Sequence, residues 1–265
     1  MDLGLQGKRT LVTGSTAGIG LATAIELARE GAAVWVNGRT EARVEAAVRL
    51  VQAASGSAAQ VRGIAADLAT AEGAARVIAA APDLDVLVNN VGIFEAKPFA
   101  EISDADWTRF LEVNVLSGVR LSRHHLPRML QRGFGRVLFI SSESALQIPA
   151  EMIHYGVTKT AQLGLARGLA ELTRGTAVTV NCILAGPTRS EGVGQFVEAL
   201  ARQQGRSGAE VERDFFQSAR PTSLLQRFET TEEIASLVTF VASARASGVN
   251  GAALRVDGGV VRAIV

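Results

Sequence analysis

Arg9-Thr10-Leu11-Val12-Thr13-Gly14-Ser15-Thr16-Ala17-Gly18-Ile19-Gly20 decides the fold. Its opening residues are a short β-type run. Its last seven hold three glycines spaced Gly-x-x-x-Gly-x-Gly, not the commoner Gly-x-Gly-x-x-Gly. Leu21, Ala24, Ile25, Leu27 and Ala28 follow at helical spacing and make one apolar face. Gly31 is placed to end that helix, and residues 33–36 form a second β run. Strand, glycine turn, helix and strand together are the setting in which such a motif signals a dinucleotide. Glycines let the backbone turn sharply and approach a pyrophosphate. The helix N-terminus offers that anion free N–H groups and a partial positive charge.

Outward from this unit the same alternation continues. Residues 41–54 read as an amphipathic helix, 60–64 as a third strand and 71–81 as a helix ended by Pro82. Asp67 reads as a helix cap or turn residue. Residues 85–88 are a strand without polar alternation, as in a parallel sheet covered on both faces. Residues 103–129 carry one long helical pattern, with Ser103 and Asp104 as caps and Pro127 disturbing its end. Asn114 sits in the middle of it with poor helix propensity, so it needs a reason to be there. A fifth strand over 135–141 ends at Ser141-Ser142. Ligands of open α/β sheets sit outside such carboxyl ends.

The helix predicted over 153–172 carries Tyr155 and Lys159, one turn apart on one face. A nearby ammonium favours the phenolate, as an acid/base residue requires. The chain has one tyrosine, so nothing of its type competes for the role. Ala161, Gly164, Ala166, Gly168 and Ala170 keep part of this helix small, for close packing on the sheet or on another subunit. Residues 177–184 and 252–256 are the sixth and seventh strands, and 230–242 a capped helix. The polar stretch 190–225 has two short helical patterns, around 196–200 and 211–216, and reads as a lid or a surface excursion. With residues 143–152 it is expected to shape the substrate pocket.

Composition narrows the function classes. The 265 residues are 48% hydrophobic, enough for a substantial core. Lys+Arg is 27 against Asp+Glu 26, with no basic tract to hold nucleic acid. The one cysteine, Cys182, excludes a disulfide framework or thiolate zinc site within one chain. No apolar run reaches the ~18 residues of a membrane span. The start of the chain does not read as a signal peptide, so a cytoplasmic enzyme is expected. No Gly-x-Ser-x-Gly elbow surrounds Ser141 or Ser142, and no metal constellation appears. His124 and His125 read as solvated or capping, and His154 as a neighbour of the substrate mouth.

The glycine loop resembles the cofactor loop of the short-chain dehydrogenase/reductase family, and the likeness runs along nearly the whole chain. Asn89-Asn90-Val91-Gly92 resembles the family's Asn-Asn-Ala-Gly turn, with Val91 replacing alanine. Ser142 stands thirteen residues before Tyr155, as in the family's Ser…Tyr-x-x-x-Lys pattern. Ala185-Gly186-Pro187-Thr188 matches a loop that usually begins Pro-Gly, and Asp257-Gly258-Gly259 a C-terminal turn.

The resemblance implies a 3-oxoacyl-ACP-reductase-like, NAD(P)-dependent oxidoreductase. Its fold would be a single α/β, doubly wound Rossmann domain over 1–265, with a seven-stranded parallel sheet and a substrate lid at about 190–225. Asn114, Ser142, Tyr155 and Lys159 would be catalytic, with Asn114 holding a water in a proton relay. The cofactor would meet Gly14, Ser15, Thr16, Gly18, Ile19 and Gly20 of the turn, then Arg39, Asp67, Leu68, Asn89 and Gly92. Tyr155, Lys159, Gly186 and Thr188 would line its nicotinamide end. Gly38 stands where an NAD-preferring member places a carboxylate, and Arg39 beside it suits a 2′-phosphate. NADP is favoured, with NAD possible; alternatively Arg39 only decorates the next helix. A small carbonyl or alcohol substrate and a homodimer or homotetramer are implied. The rival readings are an NAD-linked alcohol dehydrogenase and a non-catalytic nucleotide-binding regulator.

Overall fold

In the computed structural model, residues 2–56 and 60–264 are described; the two ends of the expected 1–265 unit lie outside them. Seven strands form one parallel sheet in the order β3-β2-β1-β4-β5-β6-β7. They are β1 (Arg9–Val12), β2 (Ala33–Gly38), β3 (Val61–Ala65), β4 (Val86–Asn89), β5 (Gly135–Ser142), β6 (Val178–Ala185) and β7 (Ala253–Val256). The strand order reverses between β1 and β4, which pair as Thr10↔Val86, Leu11↔Leu87 and Val12↔Val88. A ligand crevice forms at such a reversal, at the carboxyl ends of the strands.

Side-chain parity builds the two cores. On β5, Leu138 and Ile140 join the cluster under α1 (Gly18–Arg29), α2 (Glu41–Ser55) and α9 (Thr231–Ala242). Val137 and Phe139 point the other way, against α3 (Ala71–Ala80), α5 (Ser117–Arg132) and α6 (Ile153–Glu171). Every residue of β4 is buried, which explains the lack of polar alternation over 85–88.

The helix expected over 103–129 is instead three segments: α4 (Asp104–Leu111), a π turn (Glu112–Leu116) and α5. Asn114 is the cause. Its backbone carbonyl accepts from Gln162 Nε2 at 2.6 Å, and its side chain bonds Ile93 at both ends, so the turn opens where outside partners replace the ladder. Pro127 does not disturb the end either. Helix α5 runs past it to Arg132 and stops at Gly133, whose φ of 74° is left-handed.

The 190–225 stretch folds as α7 (Glu191–Gln204) and α8 (Gly208–Ser218). Val197, Ala201, Val211 and Phe216 pack with Phe228, just beyond the stretch, into a small core separate from the two around the sheet. Ser190 and Ser207 cap the two helices through Val193 and Glu210 N–H groups.

Candidate active site

The glycine turn is held open by buried polar residues. Asn37 donates to the Ile64 and Ala66 carbonyls and accepts from Gly14 N, tying β2 and β3 to the turn. Asn90 Nδ2 donates to Thr13 O at 2.9 Å and Gly14 O at 3.2 Å. Gly14 and Gly18 have φ near +60° and +57°. A Cβ on Gly20 would stand 2.6 Å from Gly14 O and 2.4 Å from Asn90 Nδ2, so the backbones meet there without room for a side chain. Helix α1 begins at Gly18 after Ala17, which supplies no side-chain cap, and has no acidic residue in its first turn. Its free N–H groups fit an anion.

Around this turn the expected contact residues divide. Ser15 is fully buried, donating to Val12 O at 2.7 Å and accepting from Asn37 N, so its hydroxyl serves the turn. Thr16 packs at Gly38, where any Cβ would meet its methyl group at 2.4 Å. Arg39 is exposed beside them and has no ion pair among the described residues. Asp67 is exposed and closes a turn by accepting from Ala69 N, while Thr70 caps α3. Leu68 is buried in the core. Asn89 faces α5, with its amide 3.5 Å from Ser122 Oγ. Thr188 donates to Gly186 O, and a Cβ on Gly186 would strike Glu229 and Asp257.

Beyond the sheet reversal, Asn114, Ser142, Tyr155 and Lys159 come together. Lys159 Nζ donates to Ile140 O at 2.8 Å, lies 3.4 Å from Gln162 Oε1, and stands 5.7 Å from the Tyr155 ring centre. A Cβ on Gly92 would be 3.3 Å from Lys159 Nζ and 3.6 Å from Asn114 Oδ1. Asn114 Nδ2 also donates to Thr158 Oγ1 at 2.9 Å. Ser141 turns inward and donates to Lys159 O, fixing the helix to the strand. Ser142 Oγ accepts from Ser144 N at 3.1 Å and donates to the Glu143 carboxylate. The Tyr155 ring meets Phe94 edge-on at 6.3 Å.

The electrostatics depart from the expectation that Lys159 primes the phenol. Burial raises the Tyr155 pKa and Glu143 adds to that; Ser142 and Arg220 oppose it. Burial also pushes Lys159 down, to about 8. Both groups lose water, and the ammonium donates to a carbonyl instead of the phenol. Tyr155 is therefore protonated at neutral pH. Cys182 is buried and its thiol pushed up to about 12 by burial, as fits a packing residue.

Two histidine readings are corrected. His154 is fully buried against Phe110, with ring centres 4.0 Å apart, and does not face a substrate mouth. His125 is fully buried, not solvated, and burial pulls it down to about 3. His124 does reach a backbone carbonyl, Pro82 O, at 3.1 Å. No metal-ligating cluster occurs among the described residues, and no helix there is long and apolar enough to cross a membrane.

Sequence reasoning gave no individual role to Asn37, Asn90, Gln162, Glu143 or Arg220, although Asn90 lies in the predicted Asn-Asn-Val-Gly turn, Glu143 in the expected pocket segment and Arg220 in the expected lid. Gln162 was the most findable, since it follows Lys159 by three positions on the same helix face. Arg220 stands 77 and 69 residues from the carboxylates it holds, Glu143 and Glu151, and no local signal marks that pairing.

Comparison with known proteins agrees with this geometry. The family model described as short chain dehydrogenase matches residues 8–201. The uncharacterized oxidoreductase YvrD of Bacillus subtilis is 47% identical over 267 residues, covering 100% of both chains. A second from the same organism, YvaG, is 48% identical over 264 residues, again covering 100% of both. The crystal structure of L-sorbose reductase from Gluconobacter frateurii, complexed with NADPH and L-sorbose, superposes with a TM-score of 0.93. It is 32% identical, with 100% of each chain covered. The matched span runs from the strand before the glycine turn through the helix bearing Tyr155, and the chain belongs to the short-chain dehydrogenase/reductase family of oxidoreductases.

Proposed function

We propose that this oxidoreductase is NADP(H)-preferring and interconverts a carbonyl and a secondary alcohol, with Tyr155 as the acid/base. The observation that carries the reading is the gathering of Asn114, Ser142, Tyr155 and Lys159 beside Gly92, next to the glycine turn. A nucleotide-bound scaffold has no need of all four. The residues fit a dinucleotide. Gly14 and Gly18 turn the backbone through left-handed φ, α1 presents uncapped N–H groups at that turn, and Arg39 is exposed where a 2′-phosphate would lie. When bound, NADPH supplies the hydride.

The chain's own residues handle the proton. During reduction the substrate oxygen gains negative charge. Tyr155, protonated at neutral pH, donates its proton there. Ser142 orients the phenol and, once its hydrogen swings from Glu143, adds a second donor. Oriented donors of this kind are worth about 3 kcal/mol each. Lys159 holds the ribose through its ammonium, and Asn114, on the opened π turn, carries the proton relay toward Lys159. Helices α7 and α8 serve as the substrate lid, within one domain spanning the chain.

The test is NADPH consumption over a panel of ketoses and ketoacyl compounds, with L-sorbose as first probe because the reductase of Gluconobacter frateurii was solved with it. Turnover is expected with NADPH and weaker with NADH. Nucleotide binding without turnover on the whole panel favours the regulator. Arg39→Ala is expected to raise the KM for NADPH about tenfold and leave that for NADH unchanged, from loss of a charge-assisted phosphate contact of roughly 1.5 kcal/mol. An unchanged ratio removes Arg39 as the reader. The pH profile carries a further check. Deprotonation of Lys159 removes the ammonium, so kcat/KM for NADPH should fall as pH rises past about 8. A flat profile through that range contradicts its role.

A further inference from the structure

We propose that Arg220 is a positioning residue for catalysis: reaching in from the end of α8, it holds Glu143 so that Ser142 and Tyr155 work beside a balanced ion pair and not beside a lone carboxylate. This rests on the reading of Tyr155 as the acid/base.

The pair is built into the site. Arg220 Nε donates to Glu143 Oε1 at 3.0 Å, with the two side chains only 9% and 5% exposed. The other Glu143 oxygen accepts from Ser142 Oγ, so guanidinium, carboxylate and serine form one continuous line beside the phenol. Arg220 Nη1 reaches Glu151, in the turn leading to α6, at 3.3 Å and also donates to Ala219 O. The guanidinium lies 5.9 Å from the Phe215 ring centre, within the hydrophobic cluster shared by α7 and α8. One side chain thus ties the 190–225 segment to both ends of the loop between β5 and α6. A buried carboxylate is tolerated only when paired and hydrogen-bonded, and Arg220 supplies the pairing.

The charges facing Tyr155 are few. From the segment after β5 comes Glu143, which disfavours the phenolate; from the end of α8 comes Arg220, which favours it. Glu151, before α6, is half exposed and already shares Arg220. Lys159 lies along the ring on the same helix, and Cys182 of β6 faces Lys159. Glu95, Lys97, Asp106 and Arg109 face His154. Glu229 lies within range of Glu143 and not of the phenol.

Tyr155 is the only tyrosine, so the phenolate absorbance of the whole protein reports on it directly. The experiment measures that absorbance in NADP+-saturated wild type, Arg220→Gln, Glu143→Gln and the double variant, at one alkaline pH where circular dichroism shows all folded. Arg220→Gln is expected to lower the phenolate fraction about tenfold, equivalent to one pH unit. Glu143→Gln is expected to raise it above wild type, and the double variant to return it to at least the wild-type level. A pair with a merely structural role would leave all four alike, and that result overturns the proposal. If Arg220→Gln does not fold, Glu143→Gln still decides: no rise overturns it. Tyr155→Phe, assayed alongside for turnover, keeps the two readings apart. Retained turnover there sinks the acid/base assignment, whereas the titration judges the pair alone.

Discussion

Tyr155→Phe is expected to lower NADPH-dependent carbonyl reduction by about 10²–10⁴-fold, the usual worth of a positioned acid or base. The substitution removes one oxygen and keeps the ring. Its contact with Phe94 survives, and so does the backbone carbonyl that Thr158 Oγ1 uses at 2.8 Å. Stability should hardly change, and NADPH affinity should stay within about threefold. The loss should therefore fall on kcat, because proton donation to the substrate oxygen is made only in the transition state. Burial and Glu143 keep the phenol protonated, so wild type should favour reduction at neutral pH and gain in alcohol oxidation as pH rises. Steady-state kinetics in both directions, with NADPH binding by fluorescence, checks this. A variant that keeps a tenth or more of wild-type kcat would make another group the donor.

Gly20→Ala is expected to be the most damaging single-methyl change in the turn. The added carbon would lie 2.6 Å from Gly14 O and 3.0 Å from the Ser15 backbone, neither of which can rotate away. Relief requires α1 to shift from the turn, at a cost of about 1–3 kcal/mol. The Asn90 bridge to Thr13 and Gly14 would break in the same movement. NADPH affinity should fall at least about tenfold and thermal stability should drop with it. Gly164→Ala is the control, since a Cβ there has open space around it. Calorimetry and NADPH titration of both variants decide the matter. Equal behaviour would mean that the tight turn is not where the dinucleotide sits.

The fold was legible because its signals are local and repeated. Buried parallel strands show as short apolar runs, and Gly31 marks a helix end by its left-handed φ of 83°. All seven strands and their parallel arrangement followed from that alternation. The long helix was misread because its break depends on Gln162, forty-eight residues away, pulling on the Asn114 carbonyl. No periodicity carries that. Pro127 was misjudged for the opposite reason, since α5 continues through a local penalty with Leu126 and Met129 buried in the core on either side of it. In the site, Tyr155 and Lys159 were visible as a pair one turn apart. Their charge states were not, because burial sets them. His154 and His125 show the same limit, since a histidine in sequence does not say which side of its helix is covered.

The central claim is that a dinucleotide on the Gly14–Gly20 turn presents its nicotinamide to Tyr155. A crystal structure of the protein with NADPH tests it most directly. The account predicts the pyrophosphate over the N-terminus of α1, the 2′-phosphate at Arg39, and the nicotinamide beside Tyr155 with the ribose on Lys159. A cofactor bound away from the glycine turn, or one whose nicotinamide lies on the far side of the sheet from Tyr155, would contradict it.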